Sequence, residues 1–152
     1  MTATAVVITA LQVEFDAVTD RLTAPEWRKH PQGSMYLVGR FAGWTVAVAE
    51  IGRGNEEAGY STERALEFFQ PSVALFVGVA GGVKDVDRGD VVLANEVFGY
   101  EYGKETDQAF LPRGQVGVGS YELSQLARRI RHEWRGEDFR VLVEPIAAGA
   151  KV

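Results

Sequence analysis

The chain contains no cysteine, which excludes a disulfide framework, a thiolate nucleophile and a zinc–thiolate site. Histidine is nearly as scarce: His30 and His132 stand far apart in polar surroundings, and both are expected at the surface rather than in a site. No apolar run approaches the roughly 20 residues needed to span a bilayer. The opening MTATAVVITAL carries no basic leader, so no membrane partner is expected and the cytoplasm is the expected compartment. Basic residues are in deficit, 16 against 21 acidic, for a net charge of −5. That balance argues against nucleic acid as the main partner but leaves room for a nucleotide in a local pocket. A lysine-bearing phosphate loop, a Gly-x-Gly-x-x-Gly fingerprint, a serine-hydrolase elbow and a metal-ligand cluster are all missing, so no metal and no cofactor are expected.

What the sequence does have is an apolar fraction of 46% in 152 residues, enough for one globular domain over 1–152 with a real core. Its organising stretch is 73–92, VALFVGVAGGVKDVDRGDVV. The run 73–79 is rich in β-branched residues and preceded by Pro71. It reads as a strand buried on both faces in the middle of an α/β sheet. It leads into Ala80-Gly81-Gly82, where the backbone can turn and approach a ligand closely. A turn signal at Arg88-Gly89-Asp90 and a second apolar run, 91–94, follow. A strand ending in glycines puts backbone N–H groups at the carboxyl edge of a sheet, where open α/β folds bind small molecules. A tight turn without a ligand is the ordinary alternative.

Taken in order, 3–9 (ATAVVIT) reads as a first buried strand. The apolar spacing of Leu11, Phe15, Val18 and Leu22 predicts a helix over 12–22, with a capping box between Thr9 and Gln12. Glu14 falls in the first turn of that helix, a place where a carboxylate is often found simply because it suits the helix dipole. Residues 25–33 read as a polar, proline-containing loop. The runs 34–41 and 44–51, joined by Ala42-Gly43, predict a hairpin. Gly52-Arg53-Gly54-Asn55 then opens a helix over 55–69, capped by Asn55, with a buried stripe of Ala58, Ala65, Leu66 and Phe69. Strand, Gly-x-Gly and helix N-terminus make an anion-friendly arrangement. Residues 95–114 read as a long aromatic-rich connection. A helix over 120–134 with Ser120 as N-cap and its arginines outward, and a strand over 139–146, complete the pattern. Together these elements predict a three-layer α/β fold with a mixed, largely parallel central sheet and helices on both faces.

Several blocks carry a family resemblance. Phe76-Val77-Gly78-Val79-Ala80-Gly81-Gly82, followed at the right spacing by Gly89-Asp90-Val91-Val92, resembles the signature of the purine nucleoside phosphorylase and nucleosidase superfamily. It is most similar to the methylthioadenosine/S-adenosylhomocysteine nucleosidases and to the nucleosidase effector domains of bacterial defence and NLR-like proteins. Ala10-Leu11-Gln12-Val13-Glu14-Phe15 fits over the family's Ala-Met-Glu-Glu-Glu-Val, and only the last glutamate, the family's water-activating base, is retained. Gly52-Arg53-Gly54-Asn55 resembles the family's Gly-Ile-Gly-Lys. The stretch 147–152 resembles the block leading to a purine-stacking residue, whose position Val152 occupies.

The resemblance implies hydrolysis of the N-glycosidic bond of a purine nucleoside or nucleotide. Glu14 would be the catalytic base, and Gly52, Arg53, Val79, Ala80, Gly81 and Val152 would line substrate; Arg53 would touch a phosphate or a partner subunit. No cofactor is implied, and a homo-oligomer is expected. Phosphorylases of the superfamily carry an arginine two residues before the central glycine, and Phe76 stands there, which favours water over phosphate as nucleophile. Val79 replaces a nucleosidase serine, removing one hydroxyl. The family's Met-Glu ribose motif and its purine-protonating aspartate find no counterpart, so the chain is expected to be the N-terminal two-thirds of a nucleosidase domain, with the C-terminal part missing. A phosphate-dependent phosphorylase, or a non-catalytic sensing or oligomerisation module of a larger protein, are the alternatives.

Overall fold

The computed structural model describes residues 3–52, 55–101, 103–105, 110–112 and 114–149. The chain divides into two compact units, Met1–Ala80 and Gly81–Val152.

The first unit is built on a five-stranded mixed sheet. Strand β1 (Thr4–Thr9) leads through a short turn into helix α1 (Gln12–Thr19). Strands β2 (Thr23–Lys29), β3 (Met35–Phe41) and β4 (Trp44–Glu50) follow, then helix α2 (Asn55–Phe69) and strand β5 (Val73–Phe76). The sheet order is β2-β3-β4-β1-β5. β1 lies parallel to both β4 and β5, while β2, β3 and β4 run as an antiparallel meander. Ala42 and Gly43 both take positive φ (47° and 86°), and with Phe41 paired to Trp44 they form the two-residue hairpin turn expected between β3 and β4.

Side-chain alternation sorts β1 onto two cores. Val6 and Ile8, with Tyr36, Val38, Ala47 and Ala49, meet Ala65 and Phe69 of α2. Ala5 and Val7, with Val46 and Val48, meet Phe15, Val18 and Leu22 at α1. The period-two register thus places the two helices on opposite faces, giving this unit three layers.

Five sequence expectations change here. The stretch 25–33, expected as a loop, holds the larger part of β2, an edge strand. Its ladder slips between Thr23 and Glu26, around Ala24 (φ 49°) and Pro25, and its side chains are exposed. A proline tolerated at an edge bulge and a strand without a buried face leave no alternating pattern to read. Thr9 does not cap α1: it is the last residue of β1, and its Oγ1 donates to Ala49 O. His30 is buried, 7% exposed, with Nδ1 accepting from Gln32 N–H and its ring edge-on to Phe68; the α2 aromatic covers it. On α2 itself Ala65 is buried but Leu66 is exposed, since Leu66 falls off the stripe facing the sheet. Finally, β5 is a four-residue edge strand paired with β1, and Leu75 and Phe76 are exposed, so it is not buried on both faces. The capping role of Asn55 concerns a side chain outside the described residues.

The second unit contains β6 (Val91–Gly99), β7 (Gly103–Glu105), β8 (Phe110–Pro112), β9 (Gln115–Val118), α3 (Tyr121–Glu133) and β10 (Val141–Ala148). β6 pairs parallel with β10 and antiparallel with β9, and β7 pairs with β8. Much of 95–114, expected as a connection, is therefore strand. Charge and aromatics are mixed along this stretch of sequence, which hides the alternation that marks a half-buried strand. Ser120 caps α3 as expected, its Oγ accepting from Leu123 N–H, and Arg128, Arg129 and Arg131 point to solvent. Ahead of β6, Gly89 takes φ 100° in the predicted turn, and the Asp90 carboxylate accepts from Asp87 N–H and from Arg140 N–H and Nε.

Candidate functional site

Three parallel strands, β4, β1 and β5, end side by side. Ile51 N–H donates to Thr9 O, and Val77 N–H donates to Ile8 O, so the ladder continues to the carboxyl ends of all three. This is the edge where α/β sheets present backbone groups to ligands. Beyond β1 the chain turns through Ala10 and enters α1 with Leu11 as N-cap. A leucine side chain accepts no hydrogen bond, so the free N–H groups of this helix start need another acceptor.

Glu14 supplies it. Its Oε2 accepts from both Ala10 N–H and Leu11 N–H at 2.9 Å, and its Oε1 accepts from Val79 N–H at 2.8 Å. Glu14 as a whole is only 7% exposed. Burying such a group unpaired costs several kcal/mol, and here both oxygens are engaged as acceptors, the role an ionised carboxylate fills. The positive end of the α1 dipole adds to the same effect. Glu14 thereby joins the start of α1 to the segment following β5, across 65 positions of sequence.

Of the residues expected at the site, the structure brings Glu14 and Val79 together through the Val79 backbone. The Val79 side chain points outward, 75% exposed. Ala80 and Gly81 continue the same exposed segment. Gly52 follows β4 at the same sheet edge with φ 77°, a left-handed conformation that suits glycine. Arg53 and Val152 lie outside the described residues. Next to the end of β4, Ser34, Tyr36, Glu50, Ile51 and Ser61 line a cavity of about 180 Å³. Among the described residues no group of three or more His, Asp or Glu is placed to hold a metal ion.

Two contributions escaped the sequence reading. The N–H groups of Ala10 and Leu11 are backbone donors, which leave no trace in residue identity. Gly78 lies flat against the Glu14 carboxyl group: a Cβ there would sit 2.8 Å from Oε1, 3.1 Å from Cδ and 3.2 Å from Oε2. Its presence in the central block was visible, but its reason was not.

Both the sequence and the fold that carry this edge match known proteins. The chain is 34% identical over 108 residues to a 5'-methylthioadenosine/S-adenosylhomocysteine nucleosidase of Chromohalobacter salexigens, a match covering 64% of this chain and 46% of that protein. An S-adenosylhomocysteine nucleosidase of Streptococcus pyogenes superposes with a TM-score of 0.79 at 18% identity, and a 5'-methylthioadenosine/S-adenosylhomocysteine nucleosidase of Colwellia psychrerythraea, solved with adenine, with 0.78 at 20%. Each superposition covers 99% of this chain and 64% of the other. The chain thus spans less than half of the sequence relative and just under two-thirds of the solved structures, and its fold is the mixed-sheet α/β fold of these enzymes. The phosphorylase superfamily model matches residues 4–150. With the fold and the sequence in agreement over nearly every residue, this chain belongs to the phosphorylase superfamily.

Proposed function

We propose that the chain carries the water-activating part of a purine nucleosidase site, with Glu14 as the base. In the reaction a water oxygen bonds to C1' of the sugar while the C1'–N bond breaks and its electron pair leaves with the purine. The water proton passes to the Glu14 carboxylate, and the departing base takes a proton from an acid other than Glu14. The observation that carries this reading is the buried, triply hydrogen-bonded Glu14 carboxylate at the sheet edge. Its orientation is fixed before substrate arrives, and a positioned base contributes about 10²–10⁴-fold to such a step. The matched relatives are named for 5'-methylthioadenosine and S-adenosylhomocysteine, which supports an adenine nucleoside or nucleotide as substrate. Gly52, Arg53, Val79, Ala80, Gly81 and Val152 are the proposed lining, and the cytoplasm the proposed compartment. Among the described residues no helix is long and apolar enough to cross a membrane.

Phosphate as nucleophile is the second reading. An anion needs a cationic or N–H cradle, and Phe76, at the position where phosphorylases carry arginine, offers an exposed apolar ring. We also propose a homo-oligomer, as such exposed apolar surface near a site favours association.

The test is free-adenine release, by chromatography, from methylthioadenosine, adenosylhomocysteine, adenosine, AMP and ATP, with and without phosphate. It is run on this 152-residue chain and on the complete product of its gene. Release without phosphate, falling about 10²–10⁴-fold in Glu14→Ala, is the expected result. Release that requires phosphate would move the assignment to a phosphorylase. No release by the complete product from any of the five would overturn the enzymatic reading.

A further inference from the structure

We propose that Gly78 is a positioning residue for Glu14: the missing side chain, not backbone freedom, is what the protein needs at this position. The inference rests on the assignment of Glu14 above. Among the described residues the glycines in the left-handed region are Gly33, Gly43, Gly52 and Gly89, and Gly78 is not one of them, so an alanine could adopt its backbone without strain. The requirement is space. All three of the nearest heavy atoms to a Cβ at this position belong to the Glu14 carboxyl group, at 2.8, 3.1 and 3.2 Å. The carboxylate rests on the face of the Gly78 backbone, and from there its Oε1 reaches the N–H of the next residue, Val79, at 2.8 Å.

A methyl group at 78 cannot share that volume. What yields is the far end of the Glu14 side chain, which turns on flexible bonds, while the sheet and α1 keep their positions. The carboxylate then leaves the Val79 donor and the paired N–H groups of Ala10 and Leu11. A displacement of this size in a base costs turnover far more than substrate binding. The cost of Gly78→Ala thus falls on the Glu14 carboxylate and its hydrogen bonds rather than on the backbone at 78, the reverse of what a turn glycine shows.

The experiment, carried out in the complete product of the gene, compares the parent, Gly78→Ala, Glu14→Ala and the double variant by melting temperature and by adenine-release kinetics. Gly78→Ala is expected to lower kcat about 10²-fold with KM close to the parent's. It should also lower the melting temperature, because three hydrogen bonds are lost. In the Glu14→Ala background the same substitution meets no carboxylate, so it should leave the melting temperature unchanged or raise it, as Gly→Ala does where the backbone allows. Equal melting shifts in both backgrounds, or failure of both Gly78 variants to fold, would overturn the proposal and make Gly78 a loop residue independent of Glu14. So would full turnover by Gly78→Ala. If no protein in the set releases adenine, the nucleosidase reading falls, and the pair of melting shifts still decides whether Gly78 serves Glu14.

Discussion

Glu14 and Tyr36 both carry polar groups withdrawn from water, and they differ in how far hydrogen bonds replace it. Glu14 sits among three backbone donors. The Tyr36 hydroxyl is fully buried with no hydrogen-bond partner among the described residues, while its ring packs edge-on to Phe69 and face-on to Phe68. Burial pushes the phenol up from its ordinary value of 10.0; the Ser34 hydroxyl, close but outside hydrogen-bonding geometry, and the Arg64 charge pull weakly the other way. The ring stabilises and the hydroxyl does not. Tyr36→Phe should therefore leave stability at neutral pH within about 1 kcal/mol of the parent, or raise it, since an unpaired buried hydroxyl is removed. A raised folded-state value also fixes the sign at high pH. Below pH 10 both states keep the proton; above it the unfolded chain releases its proton first, and the parent loses stability as pH rises towards the folded value. Denaturant midpoints measured at neutral and alkaline pH should show that loss in the parent and less of it in Tyr36→Phe.

At the scale of elements, the Asp90–Arg140 clasp shows how a turn is fastened to a strand. Asp90 ends the turn before β6, Arg140 precedes β10, and Val91 N–H donates to Arg140 O where the two strands start their parallel ladder. The Asp90 carboxylate accepts from Arg140 N–H at 2.8 Å and from its Nε at 3.0 Å, while the same guanidinium reaches Asp87 at 3.0 Å. Hydrogen bonds from Arg140 first, then those from the Asp87 and Arg140 backbones, hold the Asp90 carboxyl far below its ordinary value of 3.8. A depressed folded-state value contributes stability that is complete above the ordinary value and is lost as pH falls through it towards the folded one. Asp90→Asn should flatten the acid limb of the stability profile, which denaturant titrations on either side of pH 3.8 would show. An unchanged acid limb would mean that other carboxylates govern it. The helices and the Ala42-Gly43 hairpin were legible at this scale because each rests on local signals, a 3.6-residue stripe, a cap or a turn residue. β2 as a strand and the edge position of β5 were not, because an edge strand is defined by which neighbour it lacks, and no local pattern records that.

For the whole molecule, surface composition bears on assembly. In the first unit Leu75, Phe76, Val77 and Val79 are exposed in one continuous segment, and in the second Leu126 and Ile130 of α3 are more than a third exposed. A monomer seldom presents apolar surface in such runs, and a net charge of −5 is modest opposition to self-association. Sedimentation velocity over a range of concentrations should show association. A chain that stays monomeric at every concentration would remove the homo-oligomer from the reading.

The amino-acid sequence by itself determined the family, through two spaced glycine blocks, and pointed to Glu14 through the resemblance of residues 10–15 to the family's Ala-Met-Glu-Glu-Glu-Val block. It also determined both hydrophobic faces of β1, since strand alternation and helix periodicity are properties of neighbouring residues. Tertiary structure alone decided what Glu14 touches. Val79 N–H is 65 positions away, and Gly78 matters because of the volume it leaves for a side chain from another element. Likewise the burial of His30 and the exposure of β5 follow from what packs against them. Periodicity is local and can be read along the chain; contact and excluded volume exist only once distant segments are brought together.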